Sequence, residues 1–237
     1  MFLDVDGTIV DIAPEPASVR VEPALADTLA DIAAALDGAF ALVSGRPIAD
    51  LDRLFAPRCF AAAGQHGAEW RRRADGPRET LPDGDFDPDL AQHIAEFAAQ
   101  WPDVLVERKP SCVALHFRRN PALGLAIQEQ LVPLLQRQAP HFELLAGKLV
   151  WEVRRSGVDK GRALALLMDA PPFKGRTPIF IGDDHTDEDA MAEAERRGGR
   201  ALAVGDLNVA RWGKAFEDAA EVRAWLMTLP AFLGKRK

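Results

Sequence analysis

Three short apolar runs in this chain each break off at a polar cluster: FLDV at DGT, ALV at SGR and IFI at GDD. Short apolar runs bounded by turn residues read as strands buried on both faces. Between the first two, Leu25, Leu29, Ile32 and Leu36 recur at helical spacing, with Pro23 in front and Gly38 behind. PIADLDRLF, opened by Pro47, reads as the next helix, and CFAAAGQHG as another short strand and its turn. After residue 155 the alternation returns as KGRALALLMD, TPIFIGDD, TDEDAMAEAERR, GRALAVG and EDAAEVRAWLMTL. Strand and helix in alternation imply a parallel sheet flanked by helices, an α/β architecture. The chain starts directly on its first strand, so a longer native first strand is expected.

The middle has a different texture. GAEWRRRADGPRETLPDGDFDPD is polar and rich in Pro and Gly, which marks a loop or hairpin and a candidate boundary. DLAQHIAEFAAQW reads as a helix, and LVERKPSCVALHFRRN alternates as a half-solvated antiparallel pair does. LGLAIQEQLVPLLQRQ reads as a helix kinked at Pro133, and FELLAGKLVWEVRR as a hairpin turning at Ala146–Gly147. The expectation is a core made of residues 1–80 and 154–237, interrupted by a smaller α+β domain over 81–153.

Bulk properties narrow the function classes. With 29 basic against 36 acidic residues the net charge is −7, which argues against nucleic acid or an anionic membrane as a partner. Cys59 and Cys112 form no CxxC pair and read as free thiols of a cytoplasmic protein. No apolar stretch approaches the ~20 residues of a membrane helix, and the N-terminus lacks the basic leader of a signal peptide. A monomer acting on a small molecule is the working expectation.

Chemistry gathers at the strand ends, where open parallel sheets bind ligands. Asp4 and Asp6 sit two apart, so both can face one site. A buried carboxylate is costly unless something compensates it. GDDHTDED adds Asp183, Asp184, Asp187, Glu188 and Asp189, of which Glu188 and Asp189 suit the first turn of a helix. Carboxylates so crowded need a cation, and all-oxygen ligation beside a phosphate suggests Mg²⁺. DVDGTIVDIAPE is no calcium-binding EF-hand loop, because Ile9 stands where that loop needs Gly and a strand precedes it. Ser44 and the turn after it offer a phosphate cradle. Lys160 opens a helix, where its charge opposes the dipole unless anions lie close.

DxDGT, a strand-end Ser, a Lys and GDDxTD, in that order, resemble the haloacid dehalogenase superfamily of phosphotransferases. The resemblance implies a Rossmann-like core with an inserted cap. It implies that Asp4 is the nucleophile, that Asp6 is the acid and then the base, and that Lys160 disperses charge. Thr8, Ser44 and Lys160, with Gly7, Gly45 and Arg46, would hold the phosphoryl group. Asp4, the Asp6 backbone carbonyl and Asp183 would hold Mg²⁺, supported by Asp187 and Asp184.

DIAPEPASVRV, AGQHGAEWR, VERKPSCVALHFR, GKLVWEVR and GDDHTDED resemble the trehalose-6-phosphate phosphatase family. That resemblance implies that the cap reads a disaccharide. Glu107, Lys109, Lys148 and Glu152 are candidates for sugar contact, with Arg118, His66 and Gln65 at the edge of the site. Solvated cross-strand ion pairs would explain the cap charges equally well. The family often continues EVR with Pro, where this chain has Arg155. Phosphatases for sucrose phosphate or mannosylglycerate phosphate, a phosphosugar mutase and a phospho-acceptor signalling module remain alternatives.

Overall fold

The structure, a computed structural model, describes residues 1–12, 19–81, 86–109, 111–147, 149–207 and 209–234. They divide into two compact units, Met1–Thr80 with Asp159–Lys237, and Leu81–Val158. The second boundary lies beyond residue 153 because a strand runs through that position.

The first unit begins with β1 (Phe2–Leu3), α1 (Pro23–Ala35), β2 (Ala41–Val43), α2 (Ile48–Leu54) and β3 (Ala61–Gly64). The hairpin β4 (Glu69–Arg71) and β5 (Glu79–Thr80) follows. The second unit holds α3 (Pro88–Ala98), β6 (Leu105–Arg108), β7 (Cys112–His116), α4 (Leu123–Gln138), β8 (Phe142–Gly147) and β9 (Val150–Arg155). The chain then returns to the first unit with α5 (Lys160–Met168), β10 (Ile179–Gly182), α6 (Glu188–Arg196), β11 (Arg200–Ala203), α7 (Val209–Trp212) and α8 (Ala219–Leu233).

Seven strands of the first unit form one sheet in the order β11-β10-β1-β2-β3-β4-β5. Pairing is parallel from β11 to β3, and β4 and β5 add an antiparallel edge. β1 can sit at the centre because Phe2 and Leu3 are apolar and wholly buried. α1 lays Leu25, Leu29 and Ile32 against the same core as Leu3, Leu42 and Ile181. The chain moves from β1 to β2 on one side and places β10 on the other, so strand order reverses at β1. In open α/β sheets, ligands bind at such a reversal, beyond the carboxyl ends of the strands.

The second unit is an antiparallel sheet in the order β6-β7-β9-β8. Ile94 of α3 and Ile127 and Leu131 of α4 share a core with Val113, Leu115 and Val153. The Asp87 side chain accepts from the Asp89 and Leu90 N–H groups and starts α3. Pro133 lies inside α4, which runs on to Gln138. Ala146 and Gly147 pair with Trp151 and Val150, so both belong to β8 and the hairpin turns after Gly147 rather than at Ala146–Gly147. α7 has no buried residue and shows no apolar period from which it could be expected.

Candidate active site

Asp4 follows directly on β1, and its N–H continues the ladder to the Ile181 carbonyl at 2.9 Å. It is 4% exposed. Lys160 opens α5, whose start is capped by Asp159 accepting from the Arg162 N–H at 2.7 Å. The Lys160 ammonium is equally buried and donates to Asp4 Oδ1 and Asp187 Oδ1, each at 2.7 Å. The second oxygen of Asp187 accepts from the Asp183 and Asp184 N–H groups, each at 3.1 Å. Both Asp187 oxygens are therefore committed, one to the lysine and one to the loop after β10.

Asp183 lies over the Gly7 backbone. A Cβ on Gly7 would come within 2.0 Å of the Asp183 carboxylate, and the Gly7 φ of +91° would strain any side chain placed there. Thr8 Oγ1 donates to Asp183 Oδ1 at 2.9 Å, so its hydroxyl serves a carboxylate rather than standing alone toward a phosphate. Asp4, Asp183 and Asp187 each offer an oxygen within 4.8 Å of the others. Burial, then the Asp187 charge, push Asp4 up to about 7 against the opposing pull of Lys160. Burial and then Asp4 push Asp183 up to about 7. Burial alone would lower the Lys160 ammonium, but Asp187 and Asp4 outweigh it and hold it raised. Three carboxylates against one ammonium leave uncompensated negative charge, and an all-oxygen donor set suits a hard divalent cation.

Asp184 is not gathered with this trio. It is exposed, and its carboxylate caps the 3₁₀ turn His185–Asp187 and pairs with the His185 ring. Glu188 and Asp189 occupy the first turn of α6. Asp6 does not share the trio's contacts either; both its oxygens face Arg46. Ser44, at the end of β2, is buried, and its hydroxyl accepts from the Arg46 N–H at 3.1 Å. Gly45 lies under the His66 ring, and Gln65 and His66 form a 3₁₀ turn with Gly67 beside it. Thus Ser44, Gly45, Arg46, Gln65 and His66 adjoin one another.

In the second unit, register puts Glu107, Ala114 and Glu152 on one face of the sheet, opposite Val113 and Val153. Lys109 bonds Glu152 at 2.7 Å, and the His116 ring meets Glu107 at 2.8 Å. The cross-strand pairs that the alternation allowed are therefore present on the face that carries the sugar-contact candidates. Arg118 lies exposed in the turn after β7, and Lys148 falls outside the described residues.

Sequence reasoning did not single out three participants: His116, Glu69 and the partnership of Arg46 with Asp6. His116 lies two residues before Arg118, but a lone histidine on a strand carries no pairing signal. Glu69 is a buried acid in EWR, within the polar stretch that reads as a loop or hairpin, and that texture gives no sign of its burial.

Fold neighbours define the class. The chain superposes on the C-terminal domain of the trehalose-6-phosphate phosphatase from C. albicans with a TM-score of 0.78 at 22% identity. That match covers 98% of this chain and 91% of the other. A phosphatase of the haloalkanoate (HAD) superfamily from Bacteroides thetaiotaomicron matches at a TM-score of 0.65 and 17% identity, covering 98% and 94%. The architecture is that of the HAD phosphatases.

Sequence relatives narrow the class. The family model for trehalose-phosphatase matches residues 2–210. A probable trehalose-phosphate phosphatase of Sinorhizobium fredii is 40% identical over 206 residues, covering 86% of this chain and 77% of that protein. The trehalose-6-phosphate phosphatase of Escherichia coli is 37% identical over 242 residues, covering 100% and 88%. The chain belongs to the trehalose-phosphatase family of phosphoric monoester hydrolases.

Proposed function

We propose that this protein hydrolyses trehalose 6-phosphate to trehalose and phosphate through an aspartyl-phosphate on Asp4. The observation that carries the proposal is the buried Asp4 carboxylate at the strand-order reversal, held by Lys160 and flanked by Asp183 and Asp187. Asp4 attacks phosphorus, the bond from phosphorus to the sugar oxygen breaks, and that oxygen takes a proton from Asp6. Water then attacks the phosphorus while the Asp6 carboxylate accepts its proton. The bond from phosphorus to the Asp4 oxygen breaks, and the carboxylate is restored. Lys160 keeps its charge throughout and lowers the cost of bringing an anionic nucleophile to an anionic phosphoryl group. Ser44, with Gly45 beside it, is assigned to the phosphoryl oxygens.

Asp4, Asp183 and the Asp6 carbonyl are the ligands we assign to Mg²⁺, while Asp187 holds Lys160 in place. When bound, the cation would neutralise charge on the phosphoryl oxygens. The second unit is read as the domain that recognises the disaccharide. Glu107, Lys109 and Glu152 support this reading, because hydroxyl-rich sugars need groups that donate and groups that accept. Lys148 and Arg118 join this assignment from the family resemblance alone.

Phosphate release from a panel of sugar phosphates, with Mg²⁺ or with EDTA, tests the proposal. Trehalose 6-phosphate is expected to be strongly preferred over sucrose 6-phosphate, glucose 6-phosphate and mannosylglycerate phosphate. Release is expected to stop with EDTA and to fall on the order of 10³-fold or more in Asp4→Asn. Preference for another ester would overturn the substrate while preserving the chemistry.

A further inference from the structure

Asp6 meets a fork. Arg46 Nε donates to Asp6 Oδ2 and Arg46 Nη2 to Oδ1, each at 2.6 Å. Two parallel bonds from a rigid guanidinium set the plane of a carboxylate, which a single point charge cannot do. A proton carrier needs that setting, because its oxygen must point at one atom in each half of the reaction.

The guanidinium is itself aimed by backbone. The Arg46 carbonyl accepts from the Gln65 N–H, and the Ser44 carbonyl from the His66 N–H, both at 3.0 Å. Gln65 and His66 adopt φ values of +50° and +56°, a region that side-chain-bearing residues rarely enter. Two such residues in succession persist only where their surroundings over-determine them. The His66 ring closes over Gly45, where a Cβ would lie 2.7 Å from Nε2. Buried Glu69 completes the clamp by accepting from the Ile48 N–H at 2.8 Å and from Gln65 Nε2 at 3.2 Å.

We infer that Arg46 is the positioning residue of Asp6, and that the strained Gln65–His66 turn sets its aim. The inference rests on the reading of Asp6 as proton donor and acceptor. It removes Arg46 from the groups that bind the phosphoryl oxygens and gives Gln65 and His66 a task carried by backbone rather than by sugar contact.

The test compares full-length Arg46→Ala and Arg46→Lys with the parent, using any phosphomonoester the parent turns over and inorganic phosphate as inhibitor. Arg46→Ala is expected to lose about 10²-fold in kcat, the loss that follows from a misplaced catalytic group. Its inhibition constant for inorganic phosphate is expected to stay within about threefold of the parent's, since uniform binding is untouched. Arg46→Lys, which keeps the charge and loses the fork, is expected to fall between the two. Millimolar guanidinium is expected to restore part of the activity of Arg46→Ala and none to Asp6→Asn. Weaker phosphate inhibition in step with the lost turnover would assign Arg46 to the phosphate and overturn the inference. Unchanged kcat would overturn it as well. Should the parent release phosphate from no monoester, the functional reading fails on its own. A melting-temperature cycle of Arg46→Lys and Asp6→Asn still decides the fork: non-additive shifts support it, and additive shifts overturn it.

Discussion

At the residue scale, the site depends on a glycine as much as on its acids. Gly7 lets the Asp183 carboxylate lie against the backbone of the loop that carries Asp4 and Asp6. Gly7→Ala would force Asp183 outward and strain a φ of +91°. The expected result is a loss of about 1–3 kcal/mol in stability, read by urea unfolding, together with weakened Mg²⁺ binding read by calorimetry. Wild-type affinity in a folded Gly7→Ala variant would show that Asp183 does not hold the metal. The Asp183–Asp184 pair shows where reading residue types stops. The two acids are adjacent and chemically identical, so both qualified as ligands. Backbone direction after β10 sends Asp183 to Gly7 and Thr8, and Asp184 outward to His185.

At the element scale, helices were the most legible because a 3.6-residue period repeats several times within each. α1, α3, α5, α6 and α8 fall where apolar spacing and flanking Pro, Asp or Gly put them. The β4–β5 hairpin was legible only as a loop or hairpin, since its strands have three and two residues, too few for an alternation to repeat. The α+β character of the second unit followed from the alternation in β7 and β9. Its stability follows from a core of its own, in which Leu131 is wholly buried. Leu131→Ala is expected to cost about 2–5 kcal/mol, the range for an aliphatic side chain deleted from a packed interior, read as a lower melting temperature. A shift below one degree would mean that α4 does not pack as described.

At the scale of the whole molecule, the buried acids couple stability to pH and to metal. Asp4 and Asp183 rise from 3.8 to about 7 on folding, so between those values the folded chain binds more protons than the unfolded one. Their contribution to stability is full below the unfolded value and is lost as pH rises through about 7. A divalent cation binds the ionised carboxylates, so its stabilisation runs the other way. The rise in melting temperature produced by Mg²⁺ is expected to be small near pH 5 and largest above pH 7, with EDTA reversing it. A rise independent of pH would place the metal away from these carboxylates. The same scale bears on the membrane: no helix among the described residues is long and apolar enough to cross one.

By itself, the sequence determined the α/β class, the insertion between two stretches of core, and the identity of most of the groups at the strand ends. Those properties follow from local causes: periodicity, turn residues, and the improbability of acids in strands that must be buried. Only the tertiary structure decided which groups meet. Lys160 lies 156 residues from Asp4 in the chain, yet its ammonium rests on that carboxylate. Arg46 reaches back 40 residues to fork Asp6, and Gln65 and His66 enter a strained conformation to aim it. Pairings of that kind depend on strand order and backbone direction across the sheet, and no local pattern of residue types encodes either.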